Sequence, residues 1–237
     1  MTESATSRRF LEKPLTNTYP TYAASIDPFQ RAWVNGFNPT LRPEKLQHVY
    51  QQKQPAMVFP HSMSDWMQTE FPFAYLNLML DTWAACPHLI FQPLTKRAER
   101  MAEFFTCRSV PDNIWLGVSV EDCKFGVPRI AQLQSIKAQV RWHSVEPLLE
   151  DLGELDLDGI GWVVVGGESG GKKVRPMCID WVRSIRDQCA DRGIPFFFKQ
   201  WGSHDEHGIY QHKSKTGRLL DGRTWDQYPP NSIRQHA

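Results

Sequence analysis

Residues 161–170 read GWVVVGGESG: an apolar run from Trp162 to Val165, two glycines, then Glu168 and Ser169. Five other stretches have the same form, an apolar run that ends in polar or charged residues. They are MVFPHSMSD (57–65), HLIFQPLTKR (88–97), NIWLGVSVE (113–121), QVRWHSVEP (139–147) and PFFFKQWG (195–202). Runs this continuously apolar, rich in Val, Ile, Phe and Trp, are the signature of strands covered on both faces, as in a parallel sheet.

Helical spacing lies between most of the runs. From Glu70 to Ala85, the residues Tyr75, Leu76, Met79, Leu80 and Trp83 form an apolar stripe with Asn77 and Asp81 opposite, and Cys86-Pro87 stops it. Ala98, Met101, Ala102 and Phe105 make a second stripe. Ile130, Leu133 and Ile136 make a third, opened by Pro128. A fourth helix is expected to be capped by Asp180, to run through Val182, Ile185 and Cys189 and to stop at Gly193. One connection differs. The acidic stretch Glu150 to Gly159 is short and has no helical face, so this crossover must be tight or hold only a helical turn.

Repeated β-α units close into a barrel or open into a doubly wound sheet. No G-x-G-x-x-G follows the first run, so the dinucleotide-binding version loses support. The expected fold is α/β, a complete or partial parallel β/α barrel over residues 36–202, preceded by a divergent segment (1–35) and followed by a C-terminal hairpin and tail (203–237). A chain of 237 residues can bury one sizeable core.

Composition narrows the class further. No apolar stretch is long enough for a bilayer and the N-terminus lacks a signal-peptide core, so the expectation is a soluble, cytoplasmic protein without membrane contact. The formal net charge of +1 gives the whole molecule no pull on nucleic acid, which leaves only a local basic patch for that role. The five cysteines, Cys86, Cys107, Cys123, Cys178 and Cys189, have no paired spacing and read as reduced thiols, three of them in helices.

In a parallel barrel the C-terminal strand ends share one rim, where active sites are built. That rim would gather Ser62, Ser64 and Asp65; Thr95, Lys96 and Arg97; Ser119 and Glu121; His143, Ser144 and Glu146; Glu168 and Ser169; and Lys199, Gln200 and Trp201. Carboxylates on several strand ends suit proton transfer, and Lys96 or Lys199 suits an anion. The plainer alternative is a ring of mutually satisfied salt bridges. Gly166 and Gly167 either let a ligand approach their N–H groups, with Glu168 accepting from an amine or hydroxyl, or make a tight turn. Gly170-Gly171-Lys172-Lys173 continues as a flexible basic loop, but the Walker spacing is missing, which disfavours ATP hydrolysis. His204, His207 and His212 with Asp205 and Glu206 match no zinc spacing. Asp221-Gly222 marks a tight corner within Gly217 to Arg223.

The ordered series SMSD, PLTKRAERM, IWLGVSVE, HSVEPLL, VVVGGESG, IDWVRSIRDQC, IPFFFKQWG and GRLLDGRTWDQYP resembles the phage Gp37/Gp68 family, also described as DUF5131, from about Gly36 to Pro229. The resemblance implies a TIM-barrel-related fold akin to radical S-adenosylmethionine enzymes, in which a three-cysteine motif near the N-terminus holds a [4Fe–4S] cluster. This chain has no cysteine before Cys86. Its N-terminal segment carries Tyr19, Tyr22, Phe29 and Trp33 among Pro14, Pro20 and Pro28 instead. An iron–sulfur cluster is therefore not expected, and S-adenosylmethionine enters only through the resemblance.

Three functions remain open at this stage. The first is a cluster-free barrel that binds a small anionic or nucleotide-like ligand and catalyses a polar reaction on a nucleotide or nucleic acid. Its proton-transfer candidates are Glu146 and Lys199, with Glu121 and Asp65 as further catalytic candidates. Its ligand contacts would be Lys96, Ser119, Gly166, Gly167, Glu168, Ser169 and Trp201. The second is a noncatalytic protein- or nucleic-acid-binding module using Trp201, Lys172, Lys173 and the aromatic N-terminal segment. The third is a metal-dependent hydrolase built on Asp65, Glu121, Glu146 and His143. No metal ligand set is assigned.

Overall fold

The computed structural model describes residues 39–171 and 173–230. The aromatic N-terminal segment, Lys172 and the last seven residues lie outside them. The chain divides between His48 and Val49, and each part is described by itself. In the first, a one-turn helix α1 (Pro43–Leu46) begins on Pro43, whose fixed φ suits a first helical position.

All the strands of the second part run parallel. β1 (Ala56–Val58) pairs with β2 (Leu89–Phe91), and β3 (Leu94–Thr95), β4 (Trp115–Ser119), β5 (Val140–Val145), β6 (Trp162–Gly166) and β7 (Phe196–Gln200) form a five-stranded sheet in chain order. The six apolar runs thus give seven strands, because Pro93 interrupts the second: proline has no N–H for the ladder. The two halves of that run stay in line. Phe91 bridges Ile114 just before β4, Gln92 N–H donates to Val58 O at 2.8 Å, and Gly117 N–H donates to Pro93 O at 3.1 Å. On the other side, β7 is covered by the C-terminal segment, which runs antiparallel to it: Phe198 N–H donates to Trp225 O at 2.9 Å and Gln227 N–H to Phe196 O at 3.2 Å. The sheet is open among the described residues, and no closed barrel forms.

Helices fill the crossovers where the periodicity places them. α2 (Phe73–Ala84) buries Tyr75, Leu76, Met79, Leu80 and Trp83, and Trp83 stacks on Phe91 with centroids 5.3 Å apart. α3 (Ala98–Phe105) buries Ala98, Met101, Phe104 and Phe105, while α4 (Arg129–Gln134) packs on β4 and β5. α5 (Ile179–Asp191) buries Val182, Ile185 and Cys189, and Gly193 takes φ +65° just beyond its end. Its capping differs from expectation. Cys178 occupies the N-cap position, and Asp180, one residue inside the helix, pairs with Arg183 at 3.0 Å instead. The cysteines also differ: only Cys189 lies within a helix, and Cys107, Cys123 and Cys178 are exposed.

The crossover from β5 to β6 has no helix. Leu152, Leu155, Leu157 and Ile160 are its buried anchors, and Gln188 of α5 holds it by accepting from Leu155 N–H (2.8 Å) and donating to Gly153 O (3.0 Å). Burying these leucines supplies the apolar contact that a helical stripe would otherwise provide.

Alternation along the strands separates two faces. Leu116, Val118, His143, Val145, Val163, Val165 and Phe198 are fully buried on one. On the other, Trp115, Trp142, Trp162 and Val164 form a cluster with half-buried Leu94 and Phe197, and Trp142 lies over Gly117, where any side chain would collide with its indole. Ser119, Ser144 and Gly166 follow these residues by two or four positions, so this aromatic face ends in small polar or glycine residues at its C-terminal edge.

Among the described residues no helix is long and apolar enough to cross a membrane.

Candidate functional site at the strand ends

The C-terminal strand ends carry a linked series of charged groups, built strand by strand. Asp65, in the loop after β1, is held by four donors: Met67 N–H (2.8 Å), the Thr95 hydroxyl (2.7 Å), Lys96 N–H (3.0 Å) and the Arg97 guanidinium (3.0 Å). Its oxygens are committed to fastening this loop to the end of β3. Asp65, expected as a catalytic candidate, has the geometry of a positioning residue for Lys96.

Glu121, just beyond β4, is 6 % exposed. It pairs with the Lys96 ammonium and, at 2.5 Å, with Arg129, which also donates to Ser119 O at 2.7 Å. Burial works against the Glu121 charge, but Lys96 and Arg129 outweigh it and hold the carboxyl below its usual range. Arg129 was not among the expected site residues. It enters on the first turn of α4, directly after Pro128, and its role depends on that helix folding back over β4.

Glu146 follows β5, and its peptide to Pro147 is cis. Its carboxylate lies 3.1 Å from the Lys199 ammonium on β7 and 3.5 Å from the Ser144 hydroxyl. The side chains of Lys96 and Lys199 are 55 % and 54 % exposed, and among the described residues each ammonium has a single carboxylate partner, which leaves N–H groups over for a ligand.

The glycine pair is explained by packing. A Cβ on Gly166 would meet Glu146 Cδ at 3.1 Å, and one on Gly167 would meet the Trp201 carbonyl carbon at 2.7 Å. The Gly167 N–H donates to Gln200 O at 2.9 Å, so it is not a free donor for a ligand. Glu168 is engaged as well: Arg175 contacts it through its backbone N–H (2.8 Å) and twice through its guanidinium (2.9 Å each), which holds the carboxyl at about 2. No periodic signal pointed to Arg175, seven residues downstream in an irregular loop.

Two more expected contacts sit elsewhere. Trp201 is only 2 % exposed, packs edge-on against Phe198 and donates its indole N–H to Leu219 O at 2.8 Å. It belongs to the core and offers no ring to a ligand or partner. Ser169 is exposed, and its hydroxyl accepts from Gln200 at 3.0 Å.

His143 points to the opposite face from Ser144. It is fully buried, neither ring nitrogen has a partner, and burial pushes its pKa down to about 4. Among the described residues no three His, Cys, Asp or Glu side chains converge as a metal-binding group, so Asp65, Glu121, Glu146 and His143 do not form a joint ligand set. The same holds around His204, where Asp205 is occupied by the N–H groups of His207 (3.0 Å) and Ile209 (2.9 Å). All five cysteines are described and scattered, and no three of them approach one another, so they do not fit a three-thiolate cluster.

Salt bridges thus run along the strand ends, as the plainer of the two readings expects. The rim's carboxylates are paired, and its two lysines remain open to solvent. Comparison with curated proteins and with solved structures returns no match. A family model does match, over residues 7–229, which is most of the chain, and on that basis the chain belongs to the family described as "Protein of unknown function (DUF5131)".

Proposed function

We propose that the rim binds a small anionic or nucleotide-like ligand and catalyses a polar reaction on a nucleotide or nucleic acid. The observation that carries this reading is the Glu146–Lys199 pair, 3.1 Å apart at the strand ends with the ammonium half exposed. A carboxylate beside an ammonium pairs a proton acceptor with a proton donor, and Glu146 is the group that takes a proton while Lys199 stabilises developing negative charge. Lys96 attracts the anion, held in place by Glu121 and, through Asp65, at its backbone.

The open parallel sheet in chain order supports a partial β/α barrel as the underlying fold, and the phage Gp37/Gp68 likeness with its radical-S-adenosylmethionine relatives is a reading of the same kind. Because the cysteines do not fit a cluster, no step is routed through one. S-adenosylmethionine belongs here only as one nucleotide-like candidate ligand. The recognition-module alternative relied partly on Trp201, which is buried, and no observation favours it.

The test is calorimetric titration with nucleosides and nucleoside monophosphates, followed by Glu146→Gln and Lys199→Met. The reading expects one or more ligands to bind and to lose at least tenfold in affinity or turnover in these variants. Undiminished binding and turnover in both would remove it.

A further inference from the structure

Val58 and Phe91 are the last register pair of β1 and β2. Phe59 and Gln92, one position further on each strand, therefore sit side by side on the opposite face. That face is the aromatic one: Met57 and Ile90, two positions earlier, pack against the cluster of Trp115, Trp142 and Trp162, as does Leu94, two positions after Gln92. The Gln92 N–H keeps the two strands aligned there by donating to Val58 O at 2.8 Å.

Gln92 is 8 % exposed, and its amide nitrogen is enclosed with no hydrogen-bond partner among the described residues. Phe59 is in the opposite state, 47 % exposed although apolar. Its ring meets the Trp142 indole at 66° with centroids 6.5 Å apart, so the indole holds it while about half of it stays open. An amide taken out of water with no bond in return is destabilising, and methionine would fill the same space without that loss. A glutamine in this state, beside an aromatic ring left open, points to a group from outside the chain that uses both.

The surroundings select that group. Ile90, Leu94, Phe59 and the tryptophans make an apolar wall, where a charged group would lose its water at large cost. A planar amide presents a donor beside an acceptor, and the edge of a nucleobase presents the complementary pair, which glutamine reads in two bonds. The same base offers its face to an aromatic ring. A lone hydroxyl or carbonyl would use one end of the amide and make nothing of Phe59. Lys96 stands four positions beyond Gln92, just past the end of β3, so a base held at Gln92 extends its sugar and phosphate towards the rim lysine.

We propose that Gln92 is the specificity-determining residue of the site, its amide pairing with the donor–acceptor edge of a nucleobase while Phe59 stacks on that base. This deepens the functional reading above and rests on it.

The test titrates adenosine, guanosine, cytidine and uridine, and their monophosphates, calorimetrically into wild type, Gln92→Met, Phe59→Ala and Lys199→Met, with thermal unfolding of each. Wild type is expected to prefer one base, and Gln92→Met to weaken that nucleoside about tenfold and so flatten the preference. Phe59→Ala should weaken every nucleoside that binds by a similar factor, about tenfold, and leave the preference in place, because stacking tolerates any base. The melting temperature of Gln92→Met should equal or exceed that of wild type, since it loses an unpartnered amide. A base preference unchanged in Gln92→Met overturns the inference, as does undiminished binding of all four nucleosides by Phe59→Ala; monophosphates that still lose affinity in Lys199→Met would then show that the rim reading survives. Absence of nucleoside and monophosphate binding by folded wild type also overturns it, and inorganic phosphate that binds wild type but not Lys199→Met would show that the rim still holds an anion.

Discussion

Glu146 and Lys199 extend from strands that are not neighbours, yet their charged ends are 3.1 Å apart. β6 runs between β5 and β7, and two strand spacings amount to about 9.6 Å. The pair closes over Gly166 because that residue has no side chain; a Cβ there would press on Glu146 Cδ at 3.1 Å. Gly166, where the sequence allows either a ligand's approach or a tight turn, leaves the space in which these two rim charges meet.

Gly166→Ala should therefore act on the site more than on the fold. The group in the way is the end of a flexible side chain, so Glu146 can swing aside for about 1 kcal/mol or less, giving up Lys199. Urea unfolding is expected to show a small loss of stability, while ligand affinity falls as far as in Glu146→Gln.

Gly167→Ala should behave in the opposite way. Its new methyl group meets backbone, the Trp201 carbonyl, and backbone cannot rotate out of the way. A loss of about 2–3 kcal/mol is expected from overpacking. Gly171→Ala is the control, since nothing lies within 4 Å of its Cβ position, and equal midpoints for the two variants would contradict the packing account.

His143 predicts a pH dependence of stability. Its folded pKa of about 4 lies below the ordinary 6.5 because burial disfavours the charged ring, with Asp156 offsetting only part of that. The unfolded chain therefore binds the extra proton first. Stability is undiminished above about pH 6.5, falls as pH drops towards 4, and levels off below it, by a total of about 3 kcal/mol. Urea midpoints of wild type and His143→Leu at pH 7, 5.5 and 4.5 should converge or cross as the pH falls, because only wild type carries this slope. Parallel curves would assign the acid sensitivity to other groups.

Glu168 has the reverse sign. Arg175 holds its folded pKa at about 2, below the ordinary 4.5, so its contribution is present above pH 4.5 and lost as pH falls towards 2. Carboxyl NMR should find Glu168 still ionised at pH 3, and Arg175→Ala should raise its titration towards 4.5 but short of it, because the backbone N–H at that position still donates to the carboxylate. An unchanged midpoint in that variant would show that Arg175 is not the cause.

Much of this architecture was legible in the residues. The stripes Tyr75–Trp83 and Val182–Cys189 are periodic enough to place α2 and α5, and Asp221-Gly222 takes positive φ at both residues, 53° and 77°, as a tight hairpin corner requires. The break at Pro93 was visible in the composition but lost within a continuous apolar run. What the sequence did not disclose was tertiary. Arg129 and Arg175 find their carboxylates only after α4 and the loop beyond Glu168 fold back, and no spacing encodes that. Trp201 reads as a rim residue because it follows Gln200, but Gly202 takes φ +86° and turns the chain, leaving the indole under Leu219. The strand ends were readable as a rim because apolar runs stop there; which rim charges stay open to a ligand depends on partners that only the fold supplies.

The most direct test of the account is titration of a nucleoside monophosphate panel into wild type and into the Lys96→Met/Lys199→Met double variant under identical low-salt conditions. The account predicts saturable binding of at least one member to wild type and a loss of tenfold or more in the double variant, with thermal unfolding within a few degrees of wild type. Equal binding by both proteins, or none by the folded wild type, would contradict the claim that these strand ends form an anion-binding site.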